Sequence, residues 1–266
     1  MSFASVSFLL FFLVVLLLLL LVQRVLPFAE IKRRIICQGI LLIASYVFYG
    51  WWNMQLCLLL MGITWISFFT AVKKDEKHLW QSRISLLIGV GTPLTVLGIF
   101  KYYDFFVTSF CDVFHLTPGV LNLILPVGIS FYTFQALSYT IDVYTGKIEK
   151  EKSFLQFALY LSFFPQLVAG PIVKASEFLP QLKENRKVTL AGLESGIQIF
   201  VFCMFKKVVL ADNISVFVDE VYRSPQIFGS GTVALAVAAY AIQIYMDFSG
   251  YSDMAIGCAK CMGYEL

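Results

Sequence analysis

Runs of apolar residues, each long enough for a helix, alternate along this chain with short charged stretches. The first run covers residues 5–22 and is followed by Arg24, Lys32, Arg33 and Arg34. Runs at 35–49 and 54–72 flank Gly50-Trp51-Trp52-Asn53, where paired tryptophans suit a membrane interface. Lys73, Lys74, Lys77 and Arg83 precede a run at 84–100, and the aromatic-rich stretch 101–117, with Asp104 and Asp112, reads as an interfacial segment. A helix is predicted over 121–144, followed by a charged loop at 146–153. The next run, 154–173, is broken by Pro165 and by Gly170-Pro171, with Gln166 between the breaks. Residues 174–187 mix polar and apolar positions as an interfacial helix does. An apolar run at 192–210 carries Lys206-Lys207 near its end, 212–231 is a loop or surface helix, and 232–262 is the last long apolar helix.

Polar positions inside these runs form two constellations. Gly128, Gln135, Tyr139 and Asp142 recur at sevens and fours, on one helical face. Backbone freed by helix breaks within a bilayer must be buried in protein or line a cavity, so 126–171 reads as the wall of a polar cavity. In the last helix Gln243, Asp247, Gly250, Met254 and Gly257 share a face, with Asp253 about a third of a turn away. An acid near a membrane helix centre costs about 2.5–3.5 kcal/mol on insertion scales, so it is expected to be paired, hydrated or neutral. Asp247 is expected to face the packed interior and Asp253 the flank, while Gly250 and Gly257 invite close approach of another helix. The candidate cavity-lining residues are therefore Gln135, Asp142, Gln166, Gly170, Pro171, Gln243 and Asp247. The competing reading is that they hydrogen-bond helix to helix.

Composition fixes the class. Of 266 residues, 59% are hydrophobic and 14% charged, more apolar surface than a soluble domain uses. The fold class is all-α, a polytopic transmembrane helix bundle forming a single membrane domain over 1–266. A net charge of +3, with cations in short blocks beside apolar runs, is a topology signal and not a nucleic-acid footprint. The positive-inside rule puts the N-terminus outside and the loops at 73–83 and 146–153 in the cytoplasm. Basic residues flank 154–173 on both sides, so that segment is expected to be re-entrant, with 174–187 at the cytoplasmic surface. The first run lacks a basic leader and a small-residue cleavage site, and is expected to be a retained membrane helix. Six cysteines lie mostly in apolar runs and read as buried small hydrophobes; Cys258-Ala-Lys-Cys261 lacks a redox context. No nucleophile elbow, phosphate-binding loop or metal-ligand set is present in the sequence.

Three blocks, PVGISFYTFQALSYTIDVYTGK, LSFFPQLVAGPIVKASEFLPQL and IQIYMDFSGYSDMAIG, resemble signature segments of the membrane-bound O-acyltransferase family, in the branch that holds the alginate O-acetylation protein. More distantly, they resemble the proteins that transfer D-alanine to teichoic acid. The resemblance implies membrane helices around a funnel, in a multi-pass protein of the bacterial inner membrane. An acyl group would pass from a cytoplasmic donor, acetyl-coenzyme A or another acyl donor, to a hydroxyl of an exported polysaccharide such as alginate, with extracytoplasmic partner proteins. It implies no bound cofactor or metal. It also implies an essential histidine C-terminal to the segment matching 243–264, beyond Leu266; His78 and His115 lie outside the matching blocks. The chain is thus expected to be the N-terminal portion of an acyltransferase, truncated at the C-terminus and inactive alone. The alternative is a non-catalytic, transporter-like membrane protein or a defective truncated product.

Overall fold

The computed structural model describes residues 3–75, 77–117, 119–168 and 170–266, and every regular element among them is helical. Side chains at the expected positions start several helices. Ser5 Oγ accepts from the Phe8 N–H to open α1 (Val6–Leu20), and Asn53 Oδ1 accepts from the Gln55 N–H to open α3 (Met54–Thr70) directly after Trp51-Trp52. Ser153 begins α6 (Phe154–Ser162) and Thr189 begins α9 (Leu190–Phe205) in the same way. Among the described residues, three helices are long and apolar enough to cross a membrane: Val6–Val25, Leu79–Phe114 and Ser230–Cys261. An all-helical chain with three such helices is built as a polytopic membrane protein is.

Several boundaries differ from those the sequence predicts. The run at 84–100 and the expected interfacial segment 101–117 form one 36-residue helix, α4 (Leu79–Phe114), which continues past a buried Pro93 and ends at a left-handed His115. The helix expected over 121–144 starts only at Ile129, as α5 (Ile129–Thr145). Its first residues are claimed elsewhere: the N–H groups of Leu121 and Asn122 donate to the Asp104 carboxylate at 2.8 and 3.0 Å, Asn122 takes a positive φ, and Pro126 precedes a Gly128 at φ +77°. At the other end, α9 does not stop at its lysines. It runs through a π-helical turn, Lys206–Ala211, into α10 (Asp212–Arg223), which resolves the alternative of loop or surface helix over 212–223 in favour of a helix.

The chain packs as two compact units. One comprises residues 35–168 and 172–185: most of α2 (Glu30–Gly50), then α3 to α6, α7 (Phe164–Leu167) and α8 (Ala175–Lys183). Its core is aromatic, with Tyr132, Tyr139, Phe157, Tyr160, Phe163, Phe164 and Phe178 fully buried. The other comprises residues up to 34, the short stretch 169–171 and 186–266, and contains α1, α9, α10 and α11 (Ser230–Cys261). There α11 crosses α9 at glycines: a Cβ on Gly196 would meet the Gly257 carbonyl at 2.6 Å, and one on Gly257 the Gly196 carbonyl at 2.8 Å. The close approach expected of the small-residue face is thus present, and α9 is the partner. Phe3 stacks on Tyr251 at 4.4 Å, and Gln23 Oε1 accepts from the Val188 N–H at 2.9 Å. All six cysteines are buried thiols.

Candidate functional site

The break between α6 and α7 is specified by side chains. In a continuous helix the Phe164 N–H would donate to the Tyr160 carbonyl one turn back. Here it donates to Ser45 Oγ at 3.1 Å, and Gln166 Nε2 takes its place on the Tyr160 carbonyl at 2.6 Å. Pro165 has no N–H to place. Tyr160 in turn donates its hydroxyl to the Val173 carbonyl at 3.2 Å, tying the chain beyond the break back to the helix before it. Gly128 closes the arrangement from α5, since in its left-handed conformation a Cβ would collide with the Leu167 carbonyl. Gln166 is therefore first a substitute hydrogen-bond donor for a broken helix.

Polar capacity is left over around it. Gln166 Oε1 has no hydrogen-bond partner in the protein although the residue is 0% exposed, and the same holds for Gln135 Nε2 and Thr133 Oγ1 on α5. Buried atoms of this kind are uncommon and costly, and they are where a polar ligand gains most by binding. Tyr49 and Tyr132 pack edge to face, 6.4 Å between ring centres, in the same core cluster as Leu161 and Leu167 on either side of the break.

Asp142 sits in the last turn of α5 and pairs with Lys147 of the following loop at 3.5 Å, not with another helix. Deeper in that loop lies a residue that the sequence pattern did not single out. Glu151, 4% exposed, accepts from the N–H groups of Lys152 and Ser153 at 2.8 and 3.0 Å and pairs with Lys183 at 2.9 Å, while its own N–H donates to the Tyr139 hydroxyl. Burial raises its carboxyl pKa, but those N–H groups and the Lys183 ammonium outweigh it and hold the group below the ordinary glutamate value. Gln156 of α6 and Gln38 of α2 both donate to the Leu182 carbonyl beside this pair. The only signal in the sequence was a glutamate among lysines in a loop otherwise read as solvated.

In the other unit Gly170 is buried and Pro171 half-buried. Gln243 is half-buried, its Oε1 without a partner in the protein. Asp247 pairs with Lys207 at 2.6 Å, and Lys207 also holds Asp212 at 2.9 Å; Asp253 pairs with Lys206 at 3.0 Å and accepts from the Ser249 hydroxyl. The acids are paired, as the insertion cost requires. The expected contrast between them does not hold: the Asp247 side chain is 50% exposed and that of Asp253 36%, and the π turn Lys206–Ala211 supplies one lysine to each. Lys206-Lys207, read from the sequence as a topology signal, are the counter-ions of α11.

Comparison with known proteins assigns this frame. The chain is 38% identical over 234 residues to the probable alginate O-acetylase AlgI of Pseudomonas putida, covering 85% of the chain and 47% of that protein. It is 36% identical to the peptidoglycan O-acetyltransferase of Helicobacter pylori, over 85% of the chain and 48% of the relative. The chain is a homologue of the alginate O-acetylases. No family model matches it. A weaker likeness, 26% over 55% of the chain, joins this acetylase homologue to the teichoic acid D-alanyltransferase of Streptococcus thermophilus. It spans about half the length of the curated relatives it matches. Among the described residues of the homologue, no group of three or more His, Cys, Asp and Glu side chains is placed to hold a metal ion.

Proposed function

We propose that this chain is part of an inner-membrane O-acetyltransferase that passes an acetyl group from a cytoplasmic donor to a hydroxyl of an exported polysaccharide. The observation that carries the reading is the similarity, at 36–38% identity, to proteins named for O-acetylating two different glycans, alginate and peptidoglycan. Their shared chemistry is attack of a sugar hydroxyl oxygen on an acyl carbonyl. A C–O bond forms, the bond from the acyl carbon to its carrier breaks, and the hydroxyl proton goes to a base. Alginate or a similar uronic-acid polymer is the proposed acceptor and acetyl-coenzyme A or another acyl donor the co-substrate, with extracytoplasmic partner proteins presenting the glycan.

In this reading the substrate-facing residues are Gln135, Asp142 and Gln166 in one unit and Gly170, Pro171, Gln243 and Asp247 in the other, and the unpartnered amide atoms of Gln135, Gln166 and Gln243 meet polar groups of donor or acceptor. The base is supplied by the family's histidine, outside residues 1–266. A positioned base typically contributes on the order of 100- to 10,000-fold, so these residues expressed alone should show no transfer. Segment 154–173 is proposed to be re-entrant. Support comes from the Glu151–Lys183 pair, which joins the loop before it to the end of α8 after it at 2.9 Å.

The test is acetyl transfer from labelled acetyl-coenzyme A to an oligosaccharide by residues 1–266 in nanodiscs, with and without the C-terminal half of a full-length relative. Transfer only with the added half is expected. Robust transfer by residues 1–266 alone, surviving His78→Ala and His115→Ala, overturns the assignment of the base. Single cysteines at 150 and 183 should be labelled from the same side of the membrane, and labelling from opposite sides refutes re-entry.

A further inference from the structure

Along α3, Met54, Leu58, Met61, Trp65 and Phe69 fall within about 80° of arc at 100° per residue. All five are exposed, by 44% to 74%, so this helix presents one continuous apolar stripe. Along its N-terminal half, from Met54 to Met61, the stripe opens into a groove of about 620 Å³, walled on the α2 side by Leu42, Tyr46 and Val47 and floored by Leu58 and Met61. At the Phe69 end a cation waits. Lys150 Nζ lies 5.5 Å from the Phe68 ring centre and 3.5 Å from the Phe69 carbonyl. No carboxylate is within ion-pair distance of it among the described residues, although Lys147 and Lys183 in the same region each have one. The side chain is exposed, and partial desolvation beside Phe68 and Phe69 lowers its ammonium pKa.

A role in capping the C-terminus of α3 accounts for Lys150 beside the Phe69 carbonyl. It does not account for an aromatic and aliphatic stripe leading from that cation into a groove. The dimensions fit one occupant. From Phe69 to Leu58 is eleven residues, about 16 Å of helix, close to the depth of one leaflet of a hydrocarbon core about 30 Å thick. Lys150 lies in the loop whose charge assigns it to the cytoplasm.

We propose that this face of α2 and α3 is a binding site for a single glycerophospholipid of the cytoplasmic leaflet. Its phosphate pairs with Lys150, and one acyl chain runs along Phe69 and Trp65 into the groove at Met61 and Leu58. The site is independent of the acyl-transfer reading, since none of these residues belongs to the candidate passage.

Native mass spectrometry of the protein purified from bacterial membranes tests it. The parent should retain one phospholipid after detergent exchange strips annular lipid. Lys150→Gln should lower that occupancy roughly tenfold, the loss of one charge-assisted hydrogen bond, and Lys150→Arg should restore it. Leu58→Trp with Met61→Trp should fill the groove and abolish retention, whereas Val237→Trp, at an exposed position on α11, should not. A measurement without variants stands beside these: a diazirine-tailed phosphatidylglycerol should label peptide 54–69 of the parent protein preferentially. Absence of a retained lipid, retention unchanged in Lys150→Gln, equal loss with Val237→Trp, or labelling spread evenly over the apolar helices overturns the proposal and leaves annular lipid only.

Discussion

Replacing Ser45 by alanine changes the volume at the helix break by one oxygen atom but leaves the Phe164 N–H without its acceptor. That N–H belongs to a fully buried residue, 0% exposed, so water does not replace Ser45. An unpaired buried donor costs about 1–3 kcal/mol. The lost bond from Ser45 Oγ to the Leu41 carbonyl adds little, because that carbonyl still receives the helical N–H of residue 45. Gln166→Met, by contrast, removes the donor to the Tyr160 carbonyl and also removes Oε1, an acceptor that has no partner in the protein. One buried group is stranded and another is deleted, so the net cost should be under about 1 kcal/mol. Reversible unfolding in mixed micelles, followed by tryptophan fluorescence, gives both values, and acetyl incorporation per folded molecule, with the C-terminal half of a full-length relative added, gives the second readout. If Gln166 Oε1 meets substrate, Gln166→Met should be nearly as stable as the parent and yet impaired in transfer. A Gln166→Met protein less stable than Ser45→Ala, or a Ser45→Ala protein as stable as the parent, would refute the hydrogen-bond exchange described for the break.

Gly128→Ala must hold a side chain at φ +77° against the Leu167 carbonyl, and should cost more than about 2 kcal/mol; an unchanged thermal midpoint contradicts this. Glu151 has a folded pKa below its unfolded one, so its contribution is fully present above the ordinary glutamate value of about 4.3 and is lost as pH falls through the folded value. The midpoint of the parent should therefore drop in acid below that point more steeply than that of Glu151→Gln, and parallel pH profiles would remove the carboxylate from the account. Asp247→Ala should leave stability within about 1 kcal/mol, because the pair with Lys207 is half exposed. With the C-terminal half of a full-length relative added, it should lower acetyl transfer per folded molecule more than Asp253→Ala does if Asp247 meets substrate, and equal transfer in the two would count against Asp247 in the passage.

Much of the frame was legible in the pattern of apolar runs, because membrane helices must satisfy their own backbone and announce themselves by length. The boundaries that shifted are those where a distant side chain competes with the helix. Asp104 takes the N–H groups of Leu121 and Asn122 from seventeen and eighteen residues away, and nothing local to those residues signals it. The break at Pro165 was legible, but its satisfaction by Ser45 was not, since the serine lies in another helix, 119 residues earlier. Glu151 was hidden for the opposite reason. Its neighbours Lys150 and Lys152 make the loop look uniformly solvated, and only the fold turns the intervening side chain inward. Asp247 and Asp253 were recognisable as acids needing partners, while the π turn that aims Lys206 and Lys207 at them has no sequence signature.

The length of α4 carries a mechanical consequence. Thirty-six residues make a rod of about 54 Å, nearly twice a hydrocarbon core of about 30 Å. Even at a tilt of 40°, the upper end of what membrane helices adopt, only about 39 Å of it is submerged. Some ten residues must then project past the acyl chains. If the charged residues at 73–83 hold the Leu79 end at the membrane surface, the projecting part is the one that bears Phe105, Phe106, Phe110 and Phe114, all largely uncovered. Asp104 fastens Leu121 and Asn122 at the base of this mast, so those residues stand or lean with the helix. Bilayer thickness thereby becomes a mechanical input: a thinner membrane raises the phenylalanine tip further from the lipid, and a thicker one draws it in.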